Sequence, residues 1–297
     1  MLYPAELRGL PRRGKDSFPS GKCEEAPKRP RAYAIFSCAA SAALAAILGL
    51  VFAVPAFTET PACPLAGANT VPNTAIVVAA ADGETLRLTD GSLVRLAGID
   101  VPQAFAGAAA ALEQLVPAGA TVTLAPTSPA PDRYGRRHAY VFLSGGRLLQ
   151  AALVGQGVAR ARWLPGESAC LATLLAAERG ARREKLGLWA APDAILAADD
   201  PSLVRRTGLY ELVGGRLASV GHGSSMTFLD FGRDHRRDFT VMASAAVTRA
   251  LTQTLGSVDA LVGRHLLVRG VVQNSHGAAI RLNDAAEIEL SDDPPKP

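Results

Sequence analysis

The chain has 297 residues, 48% hydrophobic and only 5% aromatic, so any core must be built from Ala, Leu and Val; this is the composition of a globular protein and excludes a disordered one. Its formal charge of +4 is unevenly placed, with eight Lys/Arg against four Asp/Glu in residues 1–31 and 23 of each in residues 32–297. The pI near 9.0 is therefore mostly a property of the N-terminal tail and is weak evidence for nucleic-acid binding by the rest.

Residues 1–31 form a basic segment containing Arg8, Arg12, Arg13, Lys15, Lys22, Lys28, Arg29 and Arg31. From Ala32 to Thr58 the chain is uncharged and apolar, and long enough to span a bilayer as a helix, which takes about 20 residues. The positive-inside rule leaves the N-terminus in the cytoplasm and exports the chain beyond this segment. Three readings stay open, the plainest being a buried core helix. Residues 32–57 are a transmembrane anchor that holds the main domains in the periplasm at a bacterial inner membrane, or they are a signal cleaved near Ala56, which would release the protein. Of the four cysteines, Cys23 precedes this segment and Cys38 lies inside it. Only Cys63 and Cys170 reach the exported side, where an oxidising compartment permits a disulfide; the alternative is two unpaired thiols.

Residues 58–73, rich in Pro, Ala, Thr and Gly, read as a linker. Strands are then predicted at Ala75–Ala80, Thr85–Leu88 and Leu93–Ile99, with Asp90-Gly91 as a hairpin turn. A helix is expected over Ala104–Val116, ended by Pro117 and Gly119, before strands at Thr121–Leu124 and Ala139–Leu143. Two more helices are predicted at Leu148–Gln156 and Ser168–Lys185, the second with Cys170, Leu171, Leu174, Leu175 and Glu178 on one face and Gly187 as its stop. The fold class is thus mainly β with α: a five-stranded barrel of OB type with three helices over residues 74–190.

Residues 191–207 read as a second linker. Residues 208–290 are again strand-rich, with strands at Leu209–Val220, Ser225–Phe231, Phe239–Met242, His265–Val272, Ala279–Leu282 and Ile288–Leu290 and one helix at Ala245–Leu255. Three strands, a helix, then strands predict a second OB-like domain, with residues 291–297 as a tail. It is net acidic and poor in aromatics for stacking bases.

Four stretches carry a resemblance: Asp82-Gly83-Glu84-Thr85, Val94 to Gln103, Asp132-Arg133-Tyr134-Gly135-Arg136, and Lys185 to Trp189. In order, spacing and strand context they resemble the staphylococcal nuclease (thermonuclease) family over residues 74–190. The resemblance implies calcium-assisted attack of water on a phosphodiester of DNA or RNA. It assigns the calcium ligands to Glu84, Asp100 and the carbonyl of Val101, a hard oxygen set that suits the ion. It makes Arg95 and Arg136 the clamp on the phosphate and its growing charge. Tyr134 and Trp163 then line the nucleotide pocket, and Arg133 meets another phosphate.

Two positions depart from the family pattern. Glu84 stands where the family has Asp, which lengthens a metal ligand by one methylene. Gln103 stands where the family has the Glu that activates water. An amide can hold water but cannot take its proton, and general-base help is typically worth about 10²–10⁴ in rate. The expectation is therefore a hydrolase of reduced activity. Its alternative is a non-catalytic nucleic-acid-binding or scaffold protein of the envelope, with protein partners unspecified. The five histidines have no metal-ligand spacing; His138, close to Arg136, is the one placed to substitute as a base, although a plain surface or strand histidine explains it as well.

Overall fold

The computed structural model describes Cys63 and residues 73–103, 105–165, 168–234 and 237–291. The basic tail, residues 32–57, expected above to be an anchor or a signal, and the extreme C-terminus lie outside the described residues. Among the described residues no helix is long and apolar enough to cross a membrane.

In chain order the first module consists of β1 (Asn73–Ala80), β2 (Thr85–Leu88), β3 (Leu93–Leu96), β4 (Ile99–Asp100), α1 (Ala108–Leu115), β5 (Thr121–Pro126), β6 (Arg136–Phe142), α2 (Leu149–Gly155), β7 (Arg160–Ala161) and α3 (Ser168–Glu184). Five of these strands close a barrel in the order β1-β2-β3-β6-β5. β3 and β6 run parallel, and the other joins are antiparallel. The expected alternation is present: Val94 and Leu96 are buried on β3 while Arg95 between them faces out. Leu86, Val122, Leu124 and Val141 join them in one core cluster with Leu112, Leu153 and Leu174 from the three helices. At the β2–β3 hairpin, Asp90 Oδ1 accepts from the amide of Ser92 at 2.9 Å and from its hydroxyl at 2.6 Å, around Gly91 at φ 80°.

The strand expected over Leu93–Ile99 is divided into β3 and β4. Gly98 sits between them at φ 76°, and a Cβ there would meet the Tyr140 hydroxyl at 2.8 Å and Leu174 Cδ1 at 2.9 Å. The close approach of β6 and α3 therefore requires a glycine and turns β4 out of the barrel to pair with β7. Helix α1 also starts later than expected, after Gly107 at φ 94°.

The second module contains β8 (Leu196–Ala197), β9 (Tyr210–Arg216), β10 (Ser219–His222), β11 (Met226–Asp230), β12 (Thr240–Ser244), α4 (Ala245–Leu255), β13 (His265–Asn274), β14 (Ala278–Leu282) and β15 (Ile288–Leu290). Their sheet runs β10-β11-β12-β14-β13-β9-β8, with β15 on β13. β12 and β14 are parallel, as β3 and β6 are in the first module. The stretch 191–207, read as a linker, carries β8 paired with β9 and buries Leu196 and Leu203. Both modules lie in one compact unit, Ala56–Pro297.

A disulfide joins Cys63, ahead of β1, to Cys170 on α3 across 107 residues, both sides buried. Closing so long a loop removes entropy mainly from the unfolded chain. Cys63→Ser, or reduction, is expected to lower the unfolding free energy by about 2–4 kcal/mol. Urea denaturation with and without reductant measures it; an unchanged midpoint would show that the bond contributes nothing.

Candidate functional site

Strand register gathers the candidate side chains on the outer face of the barrel. Arg95 on β3 is opposite Thr85 on β2 and His138 on β6, and Arg136 lies two residues before His138. Paired residues share a sheet face, and so do residues two apart on a strand, so Thr85, Arg95, Arg136 and His138 face the same way.

Glu84 enters this face from the turn before β2. Its amide donates to Asp82 Oδ1 at 2.8 Å, and its Oε1 lies 2.8 Å from Arg95 Nη2. Burial pushes its carboxyl above the usual range against the pull of Arg95, and the nearby charges of Asp100 and Asp82 push it further. Asp100 comes from β4, paired with Arg160 on β7, and Arg162 Nη1 lies 3.7 Å from its Oδ1. Burial raises the Asp100 carboxyl too, against the pull of Arg160, Arg162 and Arg95. Glu84, Arg95 and Asp100 thus share one field of opposed charges.

The second group is built by the Asp132–Arg136 loop. Asp132 Oδ1 accepts from the amides of Tyr134 and Arg136, each at 2.9 Å, and Oδ2 takes Arg136 Nε and Nη2, also at 2.9 Å. This two-pronged grip fixes the guanidinium plane. Burial alone would raise the Asp132 carboxyl, but the Arg136 amide and guanidinium and the Tyr134 amide outweigh it and hold it well below the usual range. His138 Nε2 lies 3.4 Å from the same Oδ2. Tyr134 is 63% exposed, with the guanidinium carbons of Arg133 and Arg136 at 4.8 and 5.2 Å from its ring centre.

The remaining expected residues are less tightly placed. Val101 is half-buried beside Asp100, Gln103 is exposed in the turn after β4, and Trp163 packs half-buried against the barrel core. Among the described residues no three His, Cys, Asp or Glu side chains converge as a ready metal cluster.

A further set of charged residues was not anticipated. Arg269 on β13 and Glu178 on α3 are both buried, joined by Nη2–Oε1 at 2.8 Å and Nη1–Oε2 at 3.0 Å. Glu289 accepts from Arg269 and from Arg182, both at 2.8 Å. Close by, Arg160 Nη1 donates to Glu211 Oε2 at 2.8 Å and to the Tyr210 carbonyl at 2.9 Å. The signal for this network was present: Glu178 falls on the apolar stripe of its helix, and Arg269 interrupts the apolar run of β13. A charge in either place points to a buried partner.

The family described as staphylococcal nuclease homologue matches residues 93–191 of the chain. That span holds Arg95, Asp100, Gln103 and the Asp132–Arg136 loop; β1, β2 and Glu84 precede it. With the closed five-stranded barrel, the match gives this chain a staphylococcal-nuclease-like domain. No curated protein matches it.

Proposed function

We propose that the barrel's outer face is a phosphodiester site that acts slowly on nucleic acid. The observation that carries this reading is the placement of Arg95 and Arg136 on neighbouring strands and one face, each oriented by a carboxylate partner. Two guanidinium groups held in this way can grip the oxygens of one phosphate and stabilise charge that grows on it during attack. In this reading Tyr134 and Trp163 meet a base, and Arg133 a flanking phosphate.

Glu84, Asp100 and the carbonyl of Val101 fit a calcium ion in donor chemistry. Both carboxylates are hard oxygen donors within electrostatic reach of one another, and water can complete the six to eight oxygens the ion takes. When bound there, calcium would supply positive charge next to the scissile phosphate. Glu84 also holds Arg95, so metal and guanidinium would share one carboxylate. Gln103 can orient water by hydrogen bonding but takes no proton from it.

Restoring a carboxylate is the decisive change. Gln103→Glu is expected to raise calcium-dependent cleavage of single-stranded DNA by about 10²-fold or more, the usual worth of a general base. Rapid cleavage by the wild type with no gain in the variant would assign the base elsewhere, and His138, facing Arg95 and beside Asp132, is then the group to replace. No cleavage by either protein would leave a binding or scaffold barrel.

The uncharged segment over residues 32–57, with basic residues before it, supports export to the periplasmic side, and so does a disulfide between the two exported cysteines. Fractionation should recover the chain with membranes, and protease added outside the inner membrane should reach its C-terminus; full-length protein in the cytosolic fraction would refute export. The parallel β12–β14 join, with α4 preceding β13, supports reading the second module as OB-like.

A further inference from the structure

The strand that carries Asp100 cannot hold itself in place. β4 and β7 pair over two residues only, Ile99 with Ala161 and Asp100 with Arg160, and an isolated two-stranded ribbon is at best marginal in water. The support for β7 comes from α3 and from the second module. The amide of Ala161 donates to Glu178 Oε2 at 2.6 Å. Its carbonyl accepts from the Tyr210 hydroxyl at 3.0 Å and from Arg269 Nη1 at 3.2 Å. One residue earlier, Arg160 is tied to the Tyr210 carbonyl and to Glu211. One residue later, the Arg162 guanidinium lies 5.2 Å from the centre of the Tyr210 ring while reaching towards Asp100. Three successive residues are thus each held by β9, with β13 holding the middle one as well.

We infer that the second module is a working part of the candidate site: Tyr210, with Glu211 and Arg269, positions β7, and through it Asp100 and Arg162. The inference rests on Asp100 belonging to the site proposed above. These are positioning residues, since their contacts are with β7. Arg162, 36% exposed, is the group they present: a further cation at the edge of the anion-binding face. The Tyr210 ring gives its guanidinium a flat surface to lie on, which keeps it extended beside Asp100. Burial holds the Tyr210 hydroxyl protonated far above its ordinary range, as its role of donor to the Ala161 carbonyl requires.

Tyr210 separates the two contributions. In the full chain, Tyr210→Phe removes the hydroxyl and keeps the ring; Tyr210→Leu removes both. Amide hydrogen exchange should rise about fivefold in residues 99–101 and 160–162 of Tyr210→Phe, the worth of one buried hydrogen bond, with β1, β2 and β5 unchanged. Binding of a nucleoside 3′,5′-bisphosphate should weaken about threefold further in Tyr210→Leu than in Tyr210→Phe, because only the former releases Arg162. Unchanged exchange in β4 and β7 of both variants, or an equal rise across the whole barrel, would overturn the inference. Local loosening in both variants, with no bisphosphate bound by the wild type, would keep the coupling between modules and remove the phosphodiester reading instead.

Discussion

The rest of the structure depends on one buried ion pair, Arg269 with Glu178. Both side chains are withdrawn from water, 1% and 0% exposed. Desolvating two charges costs several kcal/mol each, which the pair recovers only with good geometry and further hydrogen bonds. Here the guanidinium and carboxylate meet through two hydrogen bonds, Glu289 and Arg182 extend the pair, and the second Glu178 oxygen also receives the Ala161 amide. Glu178 comes from the barrel's last helix and Arg269 from β13 of the second module. The pair therefore does not simply stabilise one core. It sets the register between two modules and fixes the strand on which Asp100 leans.

From that joint the charges of the outer face can be traced outward. Arg160, Arg162, Arg95 and Arg136 are each near an acidic partner: Glu211, Asp100, Glu84 and Asp132. The partner's depth changes along the series. Arg160 and Glu211 are 9% and 7% exposed, so that pair is structural. The pairs involving Arg95, Arg136 and Arg162 open towards solvent, where, on the proposed function, an incoming phosphate would compete for the guanidinium. Their carboxylates hold each arginine in a set orientation before a ligand arrives, which reduces the entropy lost on binding.

Much of this was legible in the sequence, for definite reasons. Alternation gave away β2 and β3, and the Asp90-Gly91 pair their turn, while α4 lies at the residues expected for it, Ala245–Leu255. The four motifs pointed to a nuclease-like barrel through their resemblance, in order, spacing and strand context, to the staphylococcal nuclease family. What escaped reading was small or non-local. Gly98 looked like one residue inside a strand, and only the approach of Tyr140 and Leu174 makes it the break between β3 and β4. β7 is two residues long, below any periodic signal. Residues 191–207 resemble a connector in composition, and their burial is decided by β9, which lies further along the chain. Glu178 and Arg269, 91 residues apart, each interrupt an apolar pattern and went unread; that they answer one another is a property of the folded chain.

The proposed activity requires that Arg95 and Arg136 form one anion site on the barrel's outer face. It is tested most directly by calorimetric titration of a nucleoside 3′,5′-bisphosphate into the wild type and into the Arg95→Ala, Arg136→Ala double variant, with calcium present and with each protein's melting curve recorded. Measurable binding by the wild type and a loss of about 100-fold or more in the variant are expected, since charged hydrogen bonds are worth about 1.5–3 kcal/mol each, with cooperative melting retained. Equal affinity in the two proteins would contradict it.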